Sequence, residues 1–327
     1  MAAQAGAIPE ALATVDVAIV GGGVIGMACA EALSREHLRV AVIERDQLGR
    51  AASWAGGGML TPLPPDQCPD AIRDLLAESL RLFPEWCARL QRESGIDPEY
   101  WACGAEYWKQ DQCIDYPTLA QVRNPRLLQA LAGTLRARGV TIIEQAPANG
   151  WLTTGGVLHA VQTRKGAVQC RAAVLAAGAW SAPRGAAGIA PAKGQMLLLQ
   201  APPGRLPKML IDDEVYLIPR RDGHILVGST VEDAGFDLSV TTDARELLLS
   251  RAARRWREVR EWPVVRHWAG LRPRPAGAAP LIGSHPEVQG LYLATGHFRI
   301  GLTLSPATAA RIAALVTTAL AGPAGSR

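Results

Sequence analysis

The chain of 327 residues is 48% hydrophobic and 20% charged, with 33 Gly, 23 Pro and a formal net charge of +4. That profile excludes disorder, collagen-like repeats and coiled coil, and the length suffices for one large domain or two interleaved ones. The basic residues are scattered rather than striped, so no nucleic-acid partner is expected.

In chain order, residues 1–14 are Ala-rich without a positive start or an apolar centre, and read as a loose leader rather than a signal peptide. Residues 15–20 are a short apolar run suited to a buried parallel strand. Gly21, Gly22, Gly23, Val24, Ile25 and Gly26 follow, then a helical stretch to about 35 and a second apolar strand, 39–43, ending in Glu44. Strand, glycine turn, helix and strand in this order are the βαβ unit of a dinucleotide-binding fold. After a Gly-rich loop, 69–94 reads as a helix stopped by Gly95. Asn124 and Pro125 open another, since Asn caps well and Pro suits the first turn; Gly139 stops it. Strands are expected over 140–144 and 172–177.

Residues 194–271 read mostly as antiparallel sheet, in which 215–219 and 224–228 flank a turn through Asp222 and Gly223. One strong helix is expected there, over 242–256. The chain closes with a strand over 291–295, a Gly-rich turn and a helix from Pro306 to about 320. The apolar stretch 17–30 is too short and Gly-rich to span a bilayer, and 145–163 is full of Gly, Asn and Thr, so no membrane span is expected. Cys29, Cys68, Cys87, Cys103, Cys113 and Cys170 show neither C-x-x-C nor zinc spacing, which implies reduced thiols in a cytoplasmic protein and no metal site.

Gly21, Gly23 and Gly26 match G-x-G-x-x-G. The first allows the tight turn, the second admits a pyrophosphate to the backbone and the third packs helix on strand, with the helix N-terminus facing the phosphates. Glu44 lies where a carboxylate accepts hydrogen bonds from the adenosine ribose. Arg45 alone would hint at a nicotinamide 2′-phosphate. The small-residue loop from Ala51 through Ala52, Ser53, Gly57 and Gly58 to Met59 argues for something larger and flat instead.

With these motifs in view, the sequence resembles the glycine oxidase branch of the D-amino-acid oxidase-like flavoenzymes. The resemblance runs from Asp16 to the last helix. It rests on the glycine turn, the loop to Leu60, the run from Val122 to Leu128, and Ala176-Ala177-Gly178-Ala179-Trp180-Ser181. Later blocks are Lys193 to Met196, Tyr216 to Arg220, Trp268-Ala269-Gly270-Leu271-Arg272-Pro273, and Ala294-Thr295-Gly296-His297-Phe298-Arg299-Ile300-Gly301. It implies an α/β fold: a Rossmann-type FAD-binding domain (1–75, 121–193 and 272–327) interleaved with a smaller, mainly antiparallel α+β substrate domain (76–120 and 194–271). It also implies non-covalent FAD, a small amino acid or amine as substrate, and O2 as acceptor. The products are an imine, then a 2-oxo acid, ammonia and hydrogen peroxide. In many bacteria such an enzyme supplies glycine imine for the thiazole ring of thiamine. A homo-oligomer is left open.

Further cofactor contacts implied by the resemblance come from Val24, Ile25, Arg45, Ala52, Ser53, Gly57, Gly58 and Met59, from Ala148, Ala177, Gly178, Trp180 and Gly270, and from His297, Phe298, Arg299, Ile300, Gly301, Leu302 and Thr303. Arg272, at the end of an apolar strand, either clamps a substrate carboxylate through two parallel hydrogen bonds or completes an ion pair; in the family the matching Arg clamps substrate. Tyr216 heads the hairpin strand and either reaches the same carboxylate or covers the pocket, or is an ordinary sheet aromatic. Arg299 lies in the turn near the flavin ring and either contacts substrate as well or is a solvated loop residue; Met59 either lines the pocket or packs the core. No general base is needed, so neither His267 nor His297 is assigned one.

Two features depart from the family. The segment between Asp97 and Val122 is short, and Ile300 replaces an Asn that relatives place beside the flavin. The alternatives are an amine or D-amino-acid dehydrogenase using a non-oxygen acceptor and, from another class, a flavin-binding scaffold with a degenerate site.

Overall fold

The computed structural model describes residues 11–61 and 68–322. A six-stranded sheet runs Leu281–Ser284, Leu291–Thr295, Ala172–Leu175, Val17–Val20, Val40–Ile43, Thr141–Ile143, parallel except for its first, antiparallel edge strand. Its central strands are apolar throughout because both faces are covered. Val17 and Ile19 face helices α1 (Val24–Arg35), α3 (Asp70–Ser94), α4 (Asn124–Ala137) and α6 (Gly301–Ala321). Ala18 and Val20 face a four-stranded sheet on the other side. Between α1 and α3 the chain makes a single helical turn, α2 (Ala52–Ala55).

A separate seven-stranded sheet runs Val264–Pro275, Ile189–Gln200, His224–Gly228, Tyr216–Pro219, Met209–Asp212, Ala105–Lys109, Gln112–Tyr116. Alternation along these strands sends Leu197, Leu199, Leu217 and Val227 toward α5 (Thr242–Arg255), whereas Met196, Ile218 and Leu226 pack on the opposite face with Met59 and Tyr216. Thr241 caps α5 by accepting from the Ala244 amide at 3.2 Å. The fold class is the expected one: a Rossmann-type layer beside a mainly antiparallel sheet.

Several details differ from the sequence expectations. The first strand of the βαβ unit begins at Val17, and part of the expected loose leader, Ala11–Thr14, is a strand pairing in parallel with Gly166–Gln169. The uncharged stretch after 145 forms an antiparallel hairpin, Ala148–Thr154 with Val157–Thr163. The sheet expected from 194 to 271 begins at Ile189 and ends at Pro275, and its Met209–Asp212 and Ala105–Lys109 strands are parallel. The boundaries drawn at 193/194 and 271/272 fall within its two longest strands, where Lys193 stands opposite Leu271.

Asn124 is not a cap. Arg123 holds the cap position, and the Asn124 amide turns away to donate to the Ser53 carbonyl at 2.7 Å. The last helix starts at Gly301, not Pro306, with the proline inside it. Pro306 has no N–H to donate. Ser305 Oγ bonds the Leu302 carbonyl at 2.8 Å, while Ser79 Oγ donates to Thr303 O at 2.7 Å and accepts from the Ala307 amide at 3.3 Å. These hydroxyls let the helix run through the break. Among the described residues Phe298–Ala321 is long and apolar enough to cross a membrane; it packs against α1 and α3, with 56% of its most apolar stretch buried.

Candidate functional site

A cavity of about 380 Å³ runs from the glycine turn, past the small-residue loop, to the inner face of the seven-stranded sheet. Every nominated site residue lines it except Gly26. Gly26 lies behind the wall, where a Cβ would stand 1.9 Å from the Gly21 carbonyl oxygen, so its absence lets α1 press on the turn. Gly21 has φ +112, and a Cβ there would meet the Ala176 carbonyl at 2.3 Å.

At this end Gly23 holds the cap position of α1 and offers no side-chain cap, and the Val24 amide donates to Ser53 Oγ at 2.9 Å. Glu44 accepts from the Gly22 amide at 2.7 Å and the Asp46 amide at 2.9 Å, which fixes its carboxylate in the wall. Each oxygen keeps a lone pair for a ribose hydroxyl. Arg45 lies over the Trp180 ring, 3.5 Å from its centroid. Farther along, α6 presents a second N-terminus without a side-chain cap, whose residues Gly301, Leu302 and Thr303 line the cavity. Two helix N-termini offer partial positive charge at separate points of one slot, and Glu44 supplies the acceptor. This donor set and the glycine cradle fit FAD.

The loop between them is held from several sides. Asn124 holds Ser53 O, Trp268 Nε1 donates to Ala55 O at 3.0 Å, Thr303 Oγ1 to Met59 O at 3.3 Å, and Arg220 to Gly57 O at 2.8 Å. Gly58 has φ +84, and a Cβ there would clash with Val122 O at 2.1 Å.

At the far end the register of the sheet gathers Arg272, Tyr216 and Met196 on one wall, and Tyr216 stands opposite Gly228. Arg272 donates to Thr230 O at 3.2 Å, Lys193 O at 3.4 Å and Ser229 Oγ at 2.6 Å. No carboxylate among the described residues pairs with it, so the ion-pair alternative is not realised. Burial lowers the pKa of its guanidinium; Tyr216 opposes that shift and the second cation, Arg299, adds to it. Arg299 is exposed at the cavity wall with its guanidinium over Phe298.

Burial pushes His297 down to about 3, and its Nε2 pairs with Thr308 Oγ1 at 3.0 Å, so it is neutral. His267 does not line the cavity.

Sequence reasoning missed Ser229, Gly194, Asn124, Arg184 and the aromatic wall of Tyr107 and Tyr116. Gly194 and Asn124 stand in motifs the sequence singled out, which was the available signal; their contacts with Arg272 and Ser53 are long-range. The short 97–122 segment keeps a strand pair, and through Tyr107, Tyr116 and Leu119 it still walls the substrate end. No group of His, Cys, Asp and Glu able to hold a metal occurs among the described residues.

The chain is similar to known proteins along most of its length. The DAO family, described as FAD dependent oxidoreductase, matches residues 16–112 and 106–315. A glycine oxidase of Pseudomonas aeruginosa is 37% identical, with 92% of this chain and 94% of that protein aligned. The bifunctional protein ThiO/ThiG of Trichormus variabilis is 32% identical over 92% of this chain but 52% of its own length. The crystal structure of glycine oxidase from Geobacillus kaustophilus superposes with a TM-score of 0.89 at 28% identity, covering 94% of this chain and 95% of that one.

Proposed function

The chain belongs to the DAO family of FAD-dependent oxidoreductases, and on that premise we propose that it oxidises glycine, or a comparably small amino acid such as sarcosine or D-alanine, to the imine. The imine hydrolyses to a 2-oxo acid and ammonia while O2 becomes hydrogen peroxide. With glycine as substrate, the imine is also the form taken up in building the thiazole of thiamine. The observation that carries the proposal is Arg272: a guanidinium without an acidic partner, on the wall of the cavity that the dinucleotide motifs line.

The FAD, when bound, supplies the two-electron acceptor and passes the electrons on to O2. It would be held by the glycine turn and α1 N-terminus, by Glu44, by the loop from Ala52 to Met59 and by the α6 N-terminus. Arg272 fixes the substrate carboxylate by charge and hydrogen bonding, so the Cα–H is presented in one orientation. Tyr216 and Met59 close the space around it, which favours a small side chain. Two nearby guanidiniums, Arg272 and Arg299, disfavour an ammonium and favour the neutral amine that the oxidation requires. His297 is neutral and already bonded to Thr308, so no imidazole is drawn into proton transfer.

The proposal also places the enzyme in the cytoplasm, which the six unpaired cysteines support. Anaerobic visible spectra of the holoenzyme, recorded before and after adding glycine, sarcosine and D-alanine, test the function. Bleaching of the flavin band by one of them is expected; a band that none of the three bleaches would overturn the substrate class. Oxygen consumption set against dye reduction then separates the oxidase from a dehydrogenase.

A further inference from the structure

Arg272 cannot meet a carboxylate with its whole fork. Two backbone carbonyls, Thr230 O at 3.2 Å and Lys193 O at 3.4 Å, occupy Nη1, and Ser229 Oγ takes one hydrogen of Nη2 at 2.6 Å. Of five N–H donors, these contacts leave one on Nη2 and the one on Nε, and the Tyr216 side chain also bonds this guanidinium. The shortest of the three contacts is to the one side chain among these partners, and Ser229 itself lines the cavity. A hydroxyl that accepts from a guanidinium keeps its own hydrogen to give, and no acceptor for it occurs among the described residues.

We propose that Ser229 is a second carboxylate-binding residue, donating its hydroxyl hydrogen to one substrate oxygen while Arg272 supplies the charge. This rests on the reading of Arg272 as the carboxylate site. The fold holds Ser229 where such a donor is needed. It follows the strand His224–Gly228, whose last residue stands opposite Tyr216. The next residue, Thr230, is locked by accepting the Gln195 amide at 2.8 Å. Beyond it the loop is tied by the buried Lys193 ammonium, which bonds Asp237 at 3.1 Å and pairs with Glu232. The donor is thus set before substrate arrives, which limits the ordering cost of binding. A hydroxyl donor beside the guanidinium adds a further point of attachment and sharpens the direction in which Cα projects.

The test compares S229A, S229T and R272A holoenzymes. Acetate is titrated as a substrate-like carboxylate by its perturbation of the flavin spectrum, alongside glycine kinetics and FAD content. S229A is expected to weaken acetate binding and raise the glycine KM by roughly tenfold, with a much smaller change in kcat. S229T, which keeps the hydroxyl, recovers most of the affinity. Should S229A fail to retain FAD, S229G removes the same hydroxyl and serves in its place. Unchanged acetate affinity in S229A, or an equal loss in S229A and S229T, overturns the proposal. If R272A also leaves acetate binding unchanged, the carboxylate site itself lies elsewhere; if R272A weakens it and S229A does not, only the Ser229 assignment fails.

Discussion

The buried guanidinium of Arg220 donates at 2.8 Å to the carbonyl of Gly57, a residue 163 positions earlier in the chain. It also holds the Val122 carbonyl at 2.9 Å and Gln121 Oε1, while the Gln121 amide returns a bond to Pro219 O at 2.8 Å. No ion pair neutralises it among the described residues; burial, reinforced by Arg123, pushes its pKa down to about 10. A cation is therefore retained to organise neutral dipoles, tying the hairpin that bears Tyr216 to the glycine loop of the cavity.

Replacing Arg220 with Met leaves those acceptors buried without a donor, at a cost of about 2–4 kcal/mol in stability. The freed loop is also expected to raise the FAD dissociation constant on the order of tenfold, because the cradle is no longer held in advance. Arg220→Lys keeps the charge but not the fork, and should fall between. Urea unfolding of the apoprotein and flavin titration check this, and an R220M protein that binds FAD as tightly as the parent would refute it.

Gly194 gives a separate handle on the carboxylate site. A Cβ there would stand 2.1 Å from Arg272 Nη1 and 2.3 Å from Nη2. What must move is the end of a flexible side chain, so Gly194→Ala is expected to fold and to keep FAD. It displaces the guanidinium and should raise the glycine KM by roughly tenfold, in the direction of Arg272→Ala. Loss of flavin with an unchanged KM in the remaining holoenzyme would place the function of both residues in cofactor retention instead.

Much of the cofactor end is legible because its logic is local. Gly21, Gly23, Gly26 and Glu44 lie within one βαβ unit, where spacing alone dictates the turn, the helix N-terminus and the acceptor. The substrate end depends on register and long-range pairing. Ser229 matters because His224–Gly228 pairs with Tyr216–Pro219 and because a strand ending near Pro275 brings Arg272 to it. Nothing in a run such as Gly228-Ser229-Thr230 carries that information. Asn124 was misread for a related reason: Asn before Pro has the local chemistry of a cap, but Ser53 O, 71 positions away, takes its amide. Ile300 was legible as a departure, and the structure places its apolar side chain at the start of α6, on the cavity wall.

His297 should make stability depend on acidity. Its folded pKa, about 3, lies below the ordinary 6.5 because burial penalises the charged ring. As pH falls below 6.5 the unfolded chain takes up a proton that the folded chain refuses until about 3, so acid favours unfolding. The contribution is present in full above the unfolded value and declines by up to about 1.4 kcal/mol per pH unit within that window. Urea unfolding at neutral and mildly acid pH should show a shallower dependence in His297→Gln than in the parent. Identical slopes would mean that this imidazole takes up its proton as readily in the fold as in the unfolded chain.

The Ser79 hydroxyl is expected to matter because of a proline far away in sequence. It bridges Thr303 O and the Ala307 amide, on either side of the position where Pro306 interrupts the helix ladder. Ser79→Ala removes both bonds in a fully buried setting, for an expected loss of about 1–3 kcal/mol. The effect should reach the cavity, since Gly301, Leu302 and Thr303 lie in the turn just before the bridge. Hydrogen exchange at the Ala307 amide should quicken and FAD should bind less tightly. The decisive comparison is with Pro306→Ala, which restores an amide donor and lets the helix close its own ladder. In that background the cost of Ser79→Ala should shrink, so that the two substitutions are non-additive. Strict additivity would mean that Ser79 packs against the helix without compensating for the proline.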